Sequence, residues 1–297
     1  MNADGLKRTG LLLEGGGMRG VYTAGVLDCW MDRGLYYPYI IGISSGSWIA
    51  TSYMSGQRGR SRTCMIDYAR DRRAYSYGNW LRRGSLLGME FLFGTLPDQL
   101  EPFDYETYYR SEQQLIVVIT DASSGEAVFY TNEDTRDAAN LSRLLTASVS
   151  LPLVSRLVEW QGKYVLDGGI ADSLPLQKAL DDGYCKNVLV LNKPKGYRKR
   201  RSILDYPAAW MNRRYPKLAK AILERYRHYN RTLEQIERLE EDGEVYVIRP
   251  SKDLKVGRGE RRPEKLKALY ELGYSDAKQS YEAMMQWQKP ARGANNE

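Results

Sequence analysis

Short apolar runs alternate with stretches of helical periodicity along most of this chain, the pattern of an α/β fold built on a buried, mostly parallel sheet. Gly10-Leu11-Leu12-Leu13-Glu14 reads as a first buried strand that ends at a glycine turn. From Met18 to Asp32, Val21, Ala24, Leu27 and Trp30/Met31 recur at helical spacing, which predicts a helix packed on the sheet. Tyr39-Ile40-Ile41 is a second strand, and a helix from about Gly46 to Met54 follows it. Leu115–Ile119 is the clearest central strand, with Ala127–Tyr130 its expected neighbour across the Ser123-Ser124-Gly125 turn. Next come a helix over 137–146, a strand at Tyr164-Val165-Leu166 that ends in Asp167-Gly168-Gly169, a short helix from Leu174 to Asp182, and a buried strand at 187–191. Residues 206–240 are charged, tyrosine-rich and helical, 244–248 form a late strand, and helices around 263–287 precede a short polar tail.

Residues 60–110 fit two readings. Arg72-Arg73, Tyr75, Tyr77, Trp80 and Arg82-Arg83, beside Leu86, Leu87, Met89 and Phe91-Leu92-Phe93, suit a flap resting on a membrane interface. The same residues suit a helical insertion packed on the core.

At 297 residues, with no linker and no internal repeat, the chain is expected to form one domain. A catalytic core over 8–195 would carry a basic loop and a mainly helical C-terminal extension over 196–290, packed on the same domain. Cys29, Cys64 and Cys185 are scattered, with no CxxC pair and no histidine nearby, so neither a zinc site nor a disulfide framework is expected. The Met1–Gly5 segment has no signal-like pattern, and no apolar run approaches the roughly 20 residues of a membrane span. The expectation is a soluble cytoplasmic protein with peripheral contact at the inner membrane surface.

The net charge of +7 is clustered. Lys193-Pro194-Lys195-Gly196-Tyr197-Arg198-Lys199-Arg200-Arg201 holds six cations and no acid. Such a run attracts phosphates of lipid or nucleic acid, or is simply a solvated loop.

The chemistry is carried by two glycine turns. Gly42-Ile43-Ser44-Ser45-Gly46 is a GxSxG frame between a strand and a helix, where a sharp turn projects the serine Oγ and small flanking residues avoid a clash. Only Ser44 satisfies that spacing. Gly15-Gly16-Gly17-Met18-Arg19-Gly20 also matches a dinucleotide fingerprint, yet the next strand ends without the acidic residue that binds a ribose. A phosphate loop is excluded too, because Val21 follows Gly20. What remains is a turn whose amides face an anion, such as the oxyanion formed on an ester carbonyl. The serine needs a base. His228, the only histidine, lies in Tyr226-Arg227-His228-Tyr229 with no aspartate beside it to orient it. Asp167, closing a strand before two glycines, is the better candidate.

Taken together, EGGGMRG, GISSG and DGG in this order resemble the patatin-like phospholipase family, as a bacterial patatin-like acyl hydrolase. The resemblance runs from about Gly10 to Asn192 and includes Ala147-Ser148-Val149-Ser150-Leu151-Pro152 and Asp172-Ser173-Leu174-Pro175. It implies a three-layer α/β/α fold and a Ser-Asp dyad that cleaves fatty acyl esters of phospholipids or other lipids through an acyl-enzyme. Ser44 would be the nucleophile and Asp167 the base, with Gly15, Gly16, Gly17, Met18, Arg19 and Gly20 around the oxyanion and substrate. Gly42, Gly46, Gly168 and Gly169 complete the motifs. Ser45 and Ser47 stand where the family often has alanine, which bears on the acyl pocket. No metal or other cofactor is expected. A transacylase using the same dyad and a non-catalytic binding module for anionic lipid or nucleic acid are the rival readings; intact Ser44 and Asp167 argue against the module, and nucleic acid is not the expected partner.

Overall fold

The computed structural model describes residues 8–289. The Met1–Gly5 segment and the tail from residue 290 lie outside the described residues. Strands β1 (Thr9–Leu13), β2 (Tyr39–Ile43), β3 (Gln114–Asp121), β4 (Ala127–Thr131), β5 (Val158–Trp160), β6 (Lys163–Asp167), β7 (Lys186–Val190) and β8 (Val245–Ile248) form one sheet. Its order is β5-β6-β3-β2-β1-β7-β8, with β4 paired to β3. Along β3-β2-β1-β7-β8 every pairing is parallel, whereas β4, β5 and β6 join antiparallel. Side chains alternate across the sheet with period two, and both faces are apolar. Leu11, Leu13, Ile40, Val117 and Val188 enter one core, and Leu12, Ile41, Ile43, Val118 and Leu189 the other.

The first face is covered by helices α1 (Val21–Met31), α2 (Ser45–Met54), α3 (Arg60–Ile66) and, beyond α4 (Tyr77–Arg83) and α5 (Tyr105–Arg110), by α6 (Ala138–Val149). Helices α7 (Leu176–Asp181), α8 (Asp205–Met211) and α9 (Pro216–Glu241) lie on the second side, and α10 (Pro263–Gln288) packs against α1. The result is a three-layer α/β/α fold with a helical C-terminal region. Helix α9 buries a stripe at Leu218, Ile222, Tyr229, Leu233 and Ile236, the spacing of one helix face. No helix among the described residues is long and apolar enough to cross a membrane.

The structure refines two readings and adds a strand. The two readings of residues 60–110 divide: Phe91 and Phe93 are only 6% and 9% exposed and belong to the core, whereas Tyr77, Trp80 and Leu81 are exposed. The helical region over 206–240 consists of two helices, Pro216 starting the second at its first position. Strand β5 is three residues long, too short for its alternation to stand out in the sequence.

Candidate active site

The sheet register brings the two motif residues together. Along β3, residues 116–118 pair with β4 on one edge and with Ile41–Ile43 of β2 on the other. Past the end of β2, Ile119 and Thr120 pair with Asp167 and Leu166 of β6 on that second edge. The parallel β2 and the antiparallel β6 therefore run head-on along one edge of β3. Ile43 stops at Val118 and Asp167 at Ile119, so Ser44 and Asp167 meet over adjacent β3 residues.

Ser44 occupies a backbone conformation that L-residues avoid, with φ 55° and ψ −124°. Such strain costs on the order of 1–3 kcal/mol and persists only where the surroundings enforce it. Here the glycines permit the fit: a Cβ on Gly42 would lie 2.4 Å from Ser47 Cα, and one on Gly46 2.4 Å from the Leu13 carbonyl. Ser148 of α6 then fixes the turn. Its buried hydroxyl accepts from the Ser44 amide at 3.1 Å and donates to the Val118 carbonyl at 3.0 Å. Since a hydroxyl has one proton, Ser47 Oγ is the donor in its 3.0 Å bond to Ser148. Ser45 ties the elbow to the other turn, its Oγ accepting from the Gly16 amide at 3.1 Å. The two serines that depart from the family pattern thus hold the two turns in place.

The glycine turn lies against the elbow. A Cβ on Gly15 would sit 2.8 Å from Ser44 Cβ, and Gly17 has φ +56° with the Arg258 carbonyl 2.7 Å from where its Cβ would be. The Met18 amide donates to that carbonyl at 2.9 Å, and the Arg19 amide to Gly16 O at 3.3 Å. Among the described residues the amides of Gly15 and Gly17 have no protein partner. Glu14, buried at the foot of the turn, accepts from the Asn192 amide at 2.6 Å and the Tyr229 hydroxyl at 2.9 Å.

Asp167 is fully buried. Desolvation raises its carboxyl above the ordinary range, opposed first by the charge of Arg225, then by hydrogen bonding with Ser44 and the Gly169 amide, the latter at 2.8 Å. Arg225 pays a similar penalty: burial and the neighbouring Arg258 lower it to about 10. The cleft that joins these groups is lined by Gly15, Gly16, Gly17, Arg19, Ser44 and Asp167. Lys193, Tyr197, Lys199, Arg225, Tyr229 and Arg258 line it as well. A hydroxyl on a strained turn, a buried carboxylate and free amides around one cleft are the parts of an acyl-transfer site. Among the described residues no three His, Cys, Asp or Glu side chains converge as a metal site.

The profile of patatin-like phospholipases matches residues 11–180, more than half of the chain. The chain belongs to the patatin-like phospholipase family. A domain of unknown function (DUF6363) matches residues 215–289. The uncharacterized protein YjjU of Escherichia coli is 27% identical over 218 residues, which make up 69% of this chain and 56% of that protein. The chain thus spans little more than half the length of that relative. The crystal structure of VipD from Legionella pneumophila is similar with a TM-score of 0.46 at 14% identity, covering 93% of this chain and 67% of the other.

Within this patatin-like chain, Ser44, Asp167, Gly15, Gly16, Gly17, Arg19 and Gly169 line the cleft, whereas Met18, Gly20, Gly42, Gly46 and Gly168 stand behind it. Gly168 lets β6 abut β3, since a Cβ there would be 2.3 Å from the Val118 carbonyl. His228 is outside the cleft wall and does have an aspartate beside it, with Nε2 3.5 Å from Asp172 Oδ1. The basic run is divided: Lys193 and Lys199 face the cleft, while Arg198 pairs with Glu237 at 2.6 Å. Sequence reasoning overlooked Arg225 and Arg258. Arg225 carried a signal, a cation on the apolar stripe between Ile222 and Tyr229.

Proposed function

We propose that this protein is a serine lipid acyl hydrolase of the phospholipase A or lysophospholipase type, working through a Ser44–Asp167 dyad. The observation that carries the reading is Ser44, strained at φ 55° and turned toward a buried carboxylate within one cleft. Asp167 accepts the Oγ proton, directly or through water, as Oγ attacks the ester carbonyl. The tetrahedral oxyanion faces the free amides of Gly15 and Gly17, with Arg19 adding positive charge. Collapse expels the alcohol, which takes the proton from Asp167 and leaves an acyl-enzyme. Water, deprotonated by Asp167, then attacks the acyl carbon, and a fatty acid leaves as Ser44 is restored.

Access to a bilayer fits a second feature. Ile203, Leu204, Tyr206, Trp210 and Met211 are exposed on and before α8, while Ala208 and Ala209 face inward. Arg201 and Arg213 flank this apolar surface. The inward Ala208 and Ala209 share a cluster with Leu153 and Leu157 of the loop that follows the cleft residue Leu151. An apolar patch edged by cations beside an active cleft suits peripheral contact with a membrane.

The test is labelling and turnover. A fluorophosphonate should modify Ser44 alone; Ser44→Ala should abolish ester hydrolysis, and Asp167→Asn should nearly do so, both as folded proteins. His228→Ala should keep most activity. Label on Ser45 or Ser47, or a folded His228→Ala protein that is inactive, would overturn the dyad.

A further inference from the structure

Five cations line the cleft: Arg19, Lys193, Lys199, Arg225 and Arg258. Among the described residues none of them has a carboxylate within ion-pair distance, although Arg198, next to Lys199, has found Glu237. The wall holds two acids. Glu14 already accepts from Asn192 and Tyr229, and Asp167 serves Ser44. Burial disfavours the charge on Lys193, Lys199, Arg19 and Arg225 alike, and Arg258 adds repulsion to each. Holding so many like charges together opposes folding, and a bound polyanion would reverse the sign.

The cations are built in rather than loosely placed. Lys199 is gripped on both sides of its peptide by Asn230, whose Oδ1 accepts from the Lys199 amide at 2.8 Å and whose Nδ2 donates to its carbonyl at 2.9 Å. The Arg258 carbonyl is held by the Met18 amide. Lys193 lies 5.1 Å over the Tyr197 ring and Lys199 4.5 Å over the Tyr229 ring. Those two ring faces are therefore occupied by ammonium groups, so a choline headgroup finds neither an aromatic cage nor a free carboxylate.

We propose that the cleft takes acyl lipids whose headgroup phosphate carries uncompensated negative charge, as in phosphatidic acid, with Lys193, Lys199, Arg225 and Arg258 forming the phosphate cage. This rests on the hydrolase reading, and it adds the substrate class. Guanidinium and ammonium groups together match the several oxygens of a phosphate. All four residues lie beyond the 11–180 family match, and Arg225 and Arg258 fall within the 215–289 domain of unknown function. That domain thereby acquires a role, which is to complete the headgroup side of the site.

Binding to the Ser44→Ala protein, measured by calorimetry with short-chain monomeric ligands, separates this from the chemistry. Dihexanoyl phosphatidic acid should bind at least about tenfold more tightly than dihexanoyl phosphatidylcholine or dihexanoylglycerol, and the advantage should shrink as salt rises. A Lys193→Gln/Lys199→Gln variant with an unchanged unfolding temperature should lose about tenfold for phosphatidic acid, well beyond its loss for the glyceride. The ligand ranking on the parent protein needs no such variant. Equal affinity for the three lipids would overturn the proposal. Glycerol phosphate binding as tightly as the lipid would also overturn it, since the ligand would then be a soluble phosphate ester. Hydrolysis by the intact protein without headgroup preference would remove the cage and leave the dyad; selective binding of phosphatidic acid with no ester turned over would leave the cage and remove the hydrolase.

Discussion

At the scale of single residues, the carboxyl of Asp167 is set by opposed effects. Burial raises it, and Arg225 is the largest influence holding it down. A base works only when deprotonated, so activity should fall as pH drops through the raised value of the folded protein, higher than for an ordinary aspartate. Arg225→Gln removes the opposing charge. The acid limb of the kcat profile on a soluble ester should then move to higher pH, with the largest loss at low pH; a limb that stayed put would show that Arg225 does not act through Asp167. Ser148 works through position. Ser148→Ala takes the acceptor from the buried Ser44 amide and from the buried Ser47 hydroxyl, at about 1–3 kcal/mol for each group. We expect a lower unfolding temperature and a fall mainly in kcat, because the elbow loosens while the headgroup side of the cleft is untouched.

At the scale of elements, the apolar surface proposed to meet a bilayer is α8 and the residues before it, in place of the buried Phe91 and Phe93. Ile203 is 83% exposed and Trp210 65%, whereas the inward positions are alanines. Moving a large apolar side chain out of water contributes about 1.5–3 kcal/mol when complete, and less at an interface. Ile203→Ser/Trp210→Ser should therefore weaken binding to anionic vesicles in a sedimentation assay by about tenfold or more. Turnover of a short soluble ester should not change. Vesicle binding equal to that of the parent would place the membrane contact elsewhere.

At the scale of the whole molecule, the C-terminal region is joined to the core by close contact of two helices. Helices α1 and α10 touch backbone to backbone: a Cβ on Gly25 would lie 2.1 Å from the Tyr270 carbonyl, and one on Gly273 2.2 Å from the Tyr22 carbonyl. Side chains bond across the same seam, Tyr22 to Asp276, Tyr270 to Asp28 and Tyr274 to Asp32 at 3.0, 2.7 and 2.9 Å. Even one methyl group has no room there. Gly273→Ala should cost about 1–3 kcal/mol by forcing the helices apart, read as a drop in unfolding temperature. Gly94→Ala, where no atom lies within 4 Å, should be close to neutral. Equal stability of the two variants would mean that the seam is looser than its geometry.

The features legible in the sequence were those whose causes are local. Apolar runs marked every strand except the three-residue β5, the glycine spacing singled out Ser44, and Asp167 was visible as a carboxylate at a strand end before two glycines. In each case the residue's neighbours in sequence impose the conformation. No local rule says that β6 runs antiparallel on the same edge of β3 that β2 leaves, yet that register is what brings Asp167 to Ser44. Burial of Phe91 and Phe93 was equally hidden, because composition cannot tell an apolar side chain facing lipid from one facing a core. The nine-residue basic run looked uniform, and only its attachment to Asn230 and α9 sorts Lys199 inward from Arg198 outward. Lys193, Arg225 and Arg258 are far apart along the chain and share no motif with the glycine turns. Their convergence on one cleft was decided by the packing of α9, and of the loop before α10, over the ends of the strands, since charge acts through space and the sequence records only order.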